Sequence, residues 1–174
     1  MRGLVIRIPG EPHAQGRARF RVIKTKAGAH LPVAYDPRES RDWKATAQAH
    51  MAAAVSRAHG LVRIVLDGPL ELQVLAVFSS PKSADRKHGH PRSWHIKRPD
   101  GDNVLKAVKD AAKGVLWRDD CQVCDERIIK VVGAQGEAPY LEIKVSPLPT
   151  LERYLPGGSL SGVPAEMMEG GARG

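Results

Sequence analysis

The chain has 174 residues, enough for one domain with a real core and too few for two comfortable ones. Its 27 Lys and Arg against 19 Asp and Glu leave a formal charge of +8, a field that draws in nucleic acid and that anionic membrane surfaces could also exploit. No apolar run is long enough to span a bilayer and the apolar stretch within Met1 to Gly10 is too short for a signal peptide, so a cytoplasmic protein with no membrane partner is expected.

Leu4 to Ile8 alternate apolar and basic residues as a first strand does, and Pro9-Gly10 ends it. Arg17, Arg19, Arg21, Lys24 and Lys26 follow, interrupted by the apolar and aromatic residues between Phe20 and Ile23, which suits a phosphate-binding loop or hairpin. The competing account is a solvated basic strand edge. After Tyr35-Asp36-Pro37 the spacing predicts a long helix from about Arg38 to His59, with Trp43, Ala47, Met51, Ala54 and Val55 on its core stripe and Gly60 as its stop. Leu70 to Phe78 is nearly continuous in Leu, Val and Ala and belongs in the middle of a sheet. From Ser79 to Arg98 the chain turns irregular and basic, with Lys82, Arg86, Lys87, Arg92, Lys97 and Arg98 against a single acid, Asp85. A loop of that length is functional or a plain linker, and its position points to a DNA-gripping loop. His88, His90 and His95 in it are assigned no catalytic task.

The stretch Arg98 to Lys130 carries the chemistry. Asp100, Asp102, Asp119 and Asp120 flank a predicted amphipathic helix from about Asn103 to Leu116, capped by Asp102, with Val104, Leu105, Val108, Ala111, Ala112 and Val115 on one face. Trp117 to Asp120 reads as a turn into a strand from about Gln122 to Val132, which lets Asp119 and Asp120 fold back toward Asp100 and Asp102. Carboxylates that close cannot all stay ionised without a cation, and hard oxygen donors suit Mg²⁺ or Mn²⁺. On composition alone these acids could equally be caps and turn residues. Cys121 and Cys124 form a lone C-x-x-C with His88 and His90 upstream; burial in the strand is the favoured reading over zinc. Val123 to Val132 and Tyr140 to Val145 read as the last two strands.

The combination D-x-D-N-x-x-K, then a helix containing Asp-Ala, then W-x-D-D-x-Q-V and a strand ending in Lys resembles the RusA family of Holliday junction resolvases. The residues that carry it are Asp100, Asp102, Asn103, Lys106, Asp110, Ala111, Trp117, Asp119, Asp120, Gln122, Val123 and Lys130. More loosely, Gly16 to Phe20 and Tyr35-Asp36-Pro37 look like the family's early basic segment and the lead into its first helix, so the resemblance covers roughly Leu4 to Val145. It implies that Asp100, Asp102 and Asp120 hold the divalent metal, with Asp119 a further candidate, that Lys106 is the essential basic residue beside them, and that Lys130 contacts phosphate. It also implies a homodimer acting on branched DNA. Gly101 stands where a side chain is more usual, and the aromatic residue that some members carry just ahead of the first acid is absent, with Trp94 as a substitute wedge.

The expected fold is α+β, a small mixed sheet with two main helices on one face, in a nuclease domain over residues 1–146 followed by a flexible Gly- and Pro-rich tail over 147–174. The expected function is Mg²⁺-dependent resolution of four-way junctions by paired nicks, with Arg17, Arg19, Lys24, Lys26 and the basic residues of 82–98 holding phosphates. The alternatives are a non-catalytic basic DNA-binding module and a zinc-stabilised nucleic-acid adaptor.

Overall fold

Strict alternation of buried and exposed residues along β1 (Leu4–Pro9) sets the orientation of everything that follows. Leu4, Ile6 and Ile8 point into the core, while Val5 and Arg7 point to the opposite side. The computed structural model describes residues 3–16, 19–26, 28–60, 66–81 and 89–149. In chain order β1 is followed by β2 (Arg19–Lys24), β3 (His30–Tyr35), α1 (Arg38–His59), β4 (Leu70–Phe78), β5 (Ser93–Trp94), α2 (Gly101–Ala112), a single 3-10 turn at Asp120–Gln122, β6 (Val123–Val132) and β7 (Tyr140–Pro147). Residues 17, 18, 82–88 and 150–174, which include Arg17, Lys82, Arg86, Lys87 and nearly all of the expected tail, lie outside the described residues.

Five strands form one mixed sheet in the order β1-β7-β4-β6-β5, and β2 and β3 make a separate two-stranded ribbon. The pair β4 and β6 is parallel, which is why a crossover carrying α2 must join them; the other pairs are antiparallel. Inward residues of the sheet, among them Leu70, Leu72, Val74, Leu141, Ile143 and Val145, meet Ala47, Met51, Ala54 and Val55 of α1 and Val104, Leu105, Val108, Ala111 and Ala112 of α2 in one core. Each fully buried Leu, Ile or Val contributes roughly 1.5–3 kcal/mol. The outer side of the sheet is charged instead: Arg7 lies over the Tyr140 ring at 3.8 Å and pairs with Glu142 at 3.4 Å.

The α+β class and the bounds of α1 and β4 agree with the sequence expectation. The helix at the acidic stretch does not keep the expected bounds: it runs from Gly101 to Ala112, with Asp100 rather than Asp102 at its N-cap and no side-chain capping bond there. It stops early because Gly114, at φ 77°, turns the chain so that its N–H reaches Trp117 O at 2.7 Å. Both cysteines are exposed and free, against the expectation of burial. Cys124 is the extra residue of a bulge, where β6 slips by one against β4, so the alternation that would have turned it inward is broken.

Candidate metal and nucleic-acid site

Two contacts with β6, one at a glycine and one through a lysine, place the first pair of acids. At the start of α2 a Cβ on Gly101 would meet Ile128 Cγ2 at 3.1 Å, so the residue between the first two carboxylates is small because the helix end sits against β6. That contact puts Asp100 and Asp102 beside the second half of β6. Lys130, on that strand, donates from Nζ to Lys97 O at 3.0 Å and Pro99 O at 2.5 Å, tying down the segment that leads into the helix. Lys130 is therefore a clamp on the loop, a role the sequence pattern did not suggest. Gln15 N donates to Asn103 O at 2.9 Å from the other side, and Ala14, Gln15, Arg98, Pro99, Asp100 and Asn103 line an open cleft of about 680 Å³.

Asp100, Asp102 and Lys106 are exposed, and no hydrogen bond or ion pair joins their side chains to any described residue. Lys106 follows Asp102 by one helical turn, so its ammonium is directed to the same side of α2. Lys97 and Arg98 are exposed immediately ahead of the acids. Hard oxygen donors that have no partner among the described residues, with a cleft beside them, suit a divalent cation, although the set is one carboxylate short.

At the far end of α2 the two other acids are occupied. Asp119 caps the 3-10 turn, accepting from Cys121 N at 3.2 Å, and pairs with Lys113 at 2.6 Å. The Lys113 ammonium, then the Cys121 N–H, hold its carboxyl down to about 2. The same contact raises Lys113, and the neighbouring carboxylate raises the Cys121 thiol. Asp120 accepts from the indole N–H of Trp117 at 2.9 Å, and Trp117 is wholly buried. Gln122 locks the turn from both sides: its amide donates to Leu66 O at 2.8 Å and Gly68 O at 3.2 Å, and its carbonyl accepts from Arg118 N and Asp119 N. Asp119 and Gln122 form a capping box, whose D-x-x-Q spacing was visible in the sequence.

The four acids therefore do not converge within one subunit. α2 is about 18 Å long, and Asp120 precedes β6 while Asp100 sits by its other end. Among the described residues no group of three or more His, Cys, Asp and Glu could hold a metal ion, Cys121 and Cys124 included. His88 lies outside those residues.

The basic residues divide. Lys24 and Lys26 stand exposed on the β2–β3 ribbon and its turn, with Phe20 and Val22 also exposed. Arg92 is bound to Glu137 through both carboxylate oxygens and to Tyr140 Oη at 2.9 Å; this pairing raises the guanidinium and holds Glu137 at about 2. Trp94 is 73% exposed and Ile96 91% exposed, while His95 between them turns inward and stacks on Phe78 at 4.0 Å.

A family model for the endodeoxyribonuclease RusA matches residues 9–146, the whole span from the end of β1 to β7. The chain belongs to the RusA endodeoxyribonuclease family. It is also 30% identical over 142 residues to the uncharacterized protein YqaN of Bacillus subtilis (strain 168), covering 78% of this chain and 90% of that protein. RusA family membership assigns the chain to the nucleases that act on Holliday junctions and that generally depend on a divalent metal. Among the described residues no helix is long and apolar enough to cross a membrane.

Proposed function

We propose that this RusA-family chain is a Mg²⁺-dependent endonuclease that resolves four-way DNA junctions by paired nicks, and that each of its two sites draws on both copies of a homodimer. The observation that carries the reading is the pair Asp100 and Asp102, exposed and without partners among the described residues, at the N-terminal end of α2 beside a lysine-clamped loop. A cation bound there would supply an activated water and neutralise charge on the phosphate. Lys106 stands one turn further along the same helix, where its ammonium can stabilise charge on the scissile phosphate or the leaving oxygen. Lys97 and Arg98 ahead of the acids, and Lys24 and Lys26 on the ribbon, supply exposed cations for backbone phosphates, which position the DNA without reading its sequence. Arg17, Arg19, Lys82, Arg86 and Lys87 are assigned to the same task on sequence grounds.

Asp120 completes the acidic set only from a second copy, since α2 and β6 hold it far from Asp100 and Asp102 in its own. A two-fold axis relating two such sites also matches the symmetry of a junction that must be nicked twice. Asp102→Asn and Asp120→Asn should each bind a labelled four-way junction and fail to nick it in Mg²⁺. Mixed and allowed to exchange, the two inactive proteins should recover about a quarter of the wild-type nicking sites, because half the dimers then hold one site with both acids intact. Cleavage by either variant alone would remove the metal assignment. Absence of recovery after demonstrated exchange would remove the shared site.

A further inference from the structure

We infer that Cys121 and Cys124 are a redox-sensitive pair, and that their closure into an intramolecular disulfide stops nicking by reshaping the turn that bears Asp120; the loss of nicking rests on the role proposed above for Asp120. Both thiols are free and exposed, so neither is kept for packing, and among the described residues neither joins a group that could hold a metal ion. The backbone sets them within reach of each other. Gln122 N bonds to Asp119 O at 3.1 Å and Val123 N to Asp120 O, which winds the chain through Gln122, and Val123 then extends it at φ −80° and ψ 98°. A helical residue followed by an extended one is the centre of a type VIII turn, whose end residues, here Cys121 and Cys124, have Cα atoms about 7 Å apart or less. Disulfides usually span roughly 4.4–6.8 Å between Cα atoms, so the bond forms once the turn tightens slightly.

Two features let it tighten. Cys124 is the residue that β6 leaves out of its register with β4, where Val123 pairs with Leu70 and Asp125 with Glu71, so the ladder does not hold it. Its thiol also points back along the chain, donating to Gln122 O at 3.5 Å. Gln122, between the two cysteines, couples the bond to the site. Its side chain pins the turn to Leu66 O and Gly68 O and accepts from Arg118 N and Asp119 N. Drawing Cys124 toward Cys121 rotates Gln122 out of those contacts, and Asp120, which the same turn holds against the Trp117 indole, shifts with it. The oxidant is a small disulfide such as oxidised glutathione. One cysteine sulfur attacks it, forming a mixed disulfide and releasing one thiol; the second cysteine sulfur displaces the other, so two electrons and two protons pass from the pair to two product thiols.

Treatment of the full chain with oxidised glutathione, followed by removal of the reagent, tests this. Intact mass should show the loss of two hydrogens, and thiol titration should find no free cysteine, since the chain has two. Mg²⁺-dependent nicking of a four-way junction should fall on the order of 100-fold, the scale of a misplacement of about 1 Å at a reacting centre. Junction affinity should not change, and dithiothreitol should restore nicking. The double variant Cys121→Ser/Cys124→Ser should nick like the reduced wild type before and after the same treatment. A wild-type chain that retains glutathione as an adduct, a disulfide between two copies, or a closed internal disulfide with undiminished nicking would each overturn the inference, as would equal inhibition of the double variant. A chain that closes the disulfide but nicks no junction in either state supports the reactive pair and counts against the nuclease reading.

Discussion

Asp120 combines a proposed metal-binding role with a structural one, and the two can be separated by choosing what replaces it. Its carboxylate accepts the indole N–H of Trp117, whose side chain is wholly buried and cannot turn that donor to water. Asp120→Ala orphans the donor, a loss of about 1–3 kcal/mol. At about 2 kcal/mol that lowers the melting temperature by roughly 4–8 °C for a domain of this size. Asp120→Asn keeps a neutral oxygen acceptor in place and should stay within about 1 kcal/mol of wild type, since only the charge assistance is lost. Both substitutions should abolish Mg²⁺-dependent nicking. Urea unfolding at one fixed protein concentration, so that dimerisation does not enter the comparison, gives the stabilities. Equal stability of the two variants would refute the claim that Trp117 depends on Asp120, and nicking by Asp120→Asn would refute the claim that its charge is needed for catalysis.

Lys130→Met should lower stability by about 1–3 kcal/mol and reduce nicking, because it frees the carbonyls of Lys97 and Pro99, yet leave the salt dependence of junction binding unchanged. A fall of about one in the salt slope would instead show that Lys130 touches phosphate. His95 is lowered from 6.5 by burial and then by Lys130, with Lys97 acting in the same direction and Glu11 against it. The unfolded chain therefore takes up the proton first. Stability should be fully present above pH 6.5 and decline as the pH falls below it, and His95→Phe should flatten that decline in urea midpoints taken at pH 5 and 7, leaving the contribution of His13, which burial lowers in the same direction.

Where a single residue type dictated the backbone, the sequence was enough to place the elements. Pro37 and Gly60 bracket α1, and the unbroken apolar run of β4 could only lie in mid-sheet. The start of α2 is ambiguous in the sequence because Asp100 and Asp102 are both residue types that cap helices, and in the structure Asp100 takes the cap while Gly101 packs against Ile128, a contact that no local pattern encodes. The bulge at Cys124 likewise depends on how β6 registers against β4, so the exposure of that cysteine was invisible to alternation counted along one strand.

The largest difference concerns the acids, and it has a mechanical origin. Residues 100 and 120 are separated in sequence by a helix and a turn, and a flexible chain of that length could bring its ends together. A helix is a rigid spacer, however, and β6 returns parallel to β4, so the chain passes from Asp120 back along α2 to reach Lys130 beside Asp100. Rigidity that forbids convergence in one copy is what the two-copy site proposed above answers, since a second copy can supply the acid that the first holds out of reach. On this reasoning a chain held monomeric should keep its affinity for junction DNA through Lys24, Lys26, Lys97 and Arg98 yet lose nicking entirely. A monomeric variant that still nicks in Mg²⁺ would show that Asp100 and Asp102 act without Asp120.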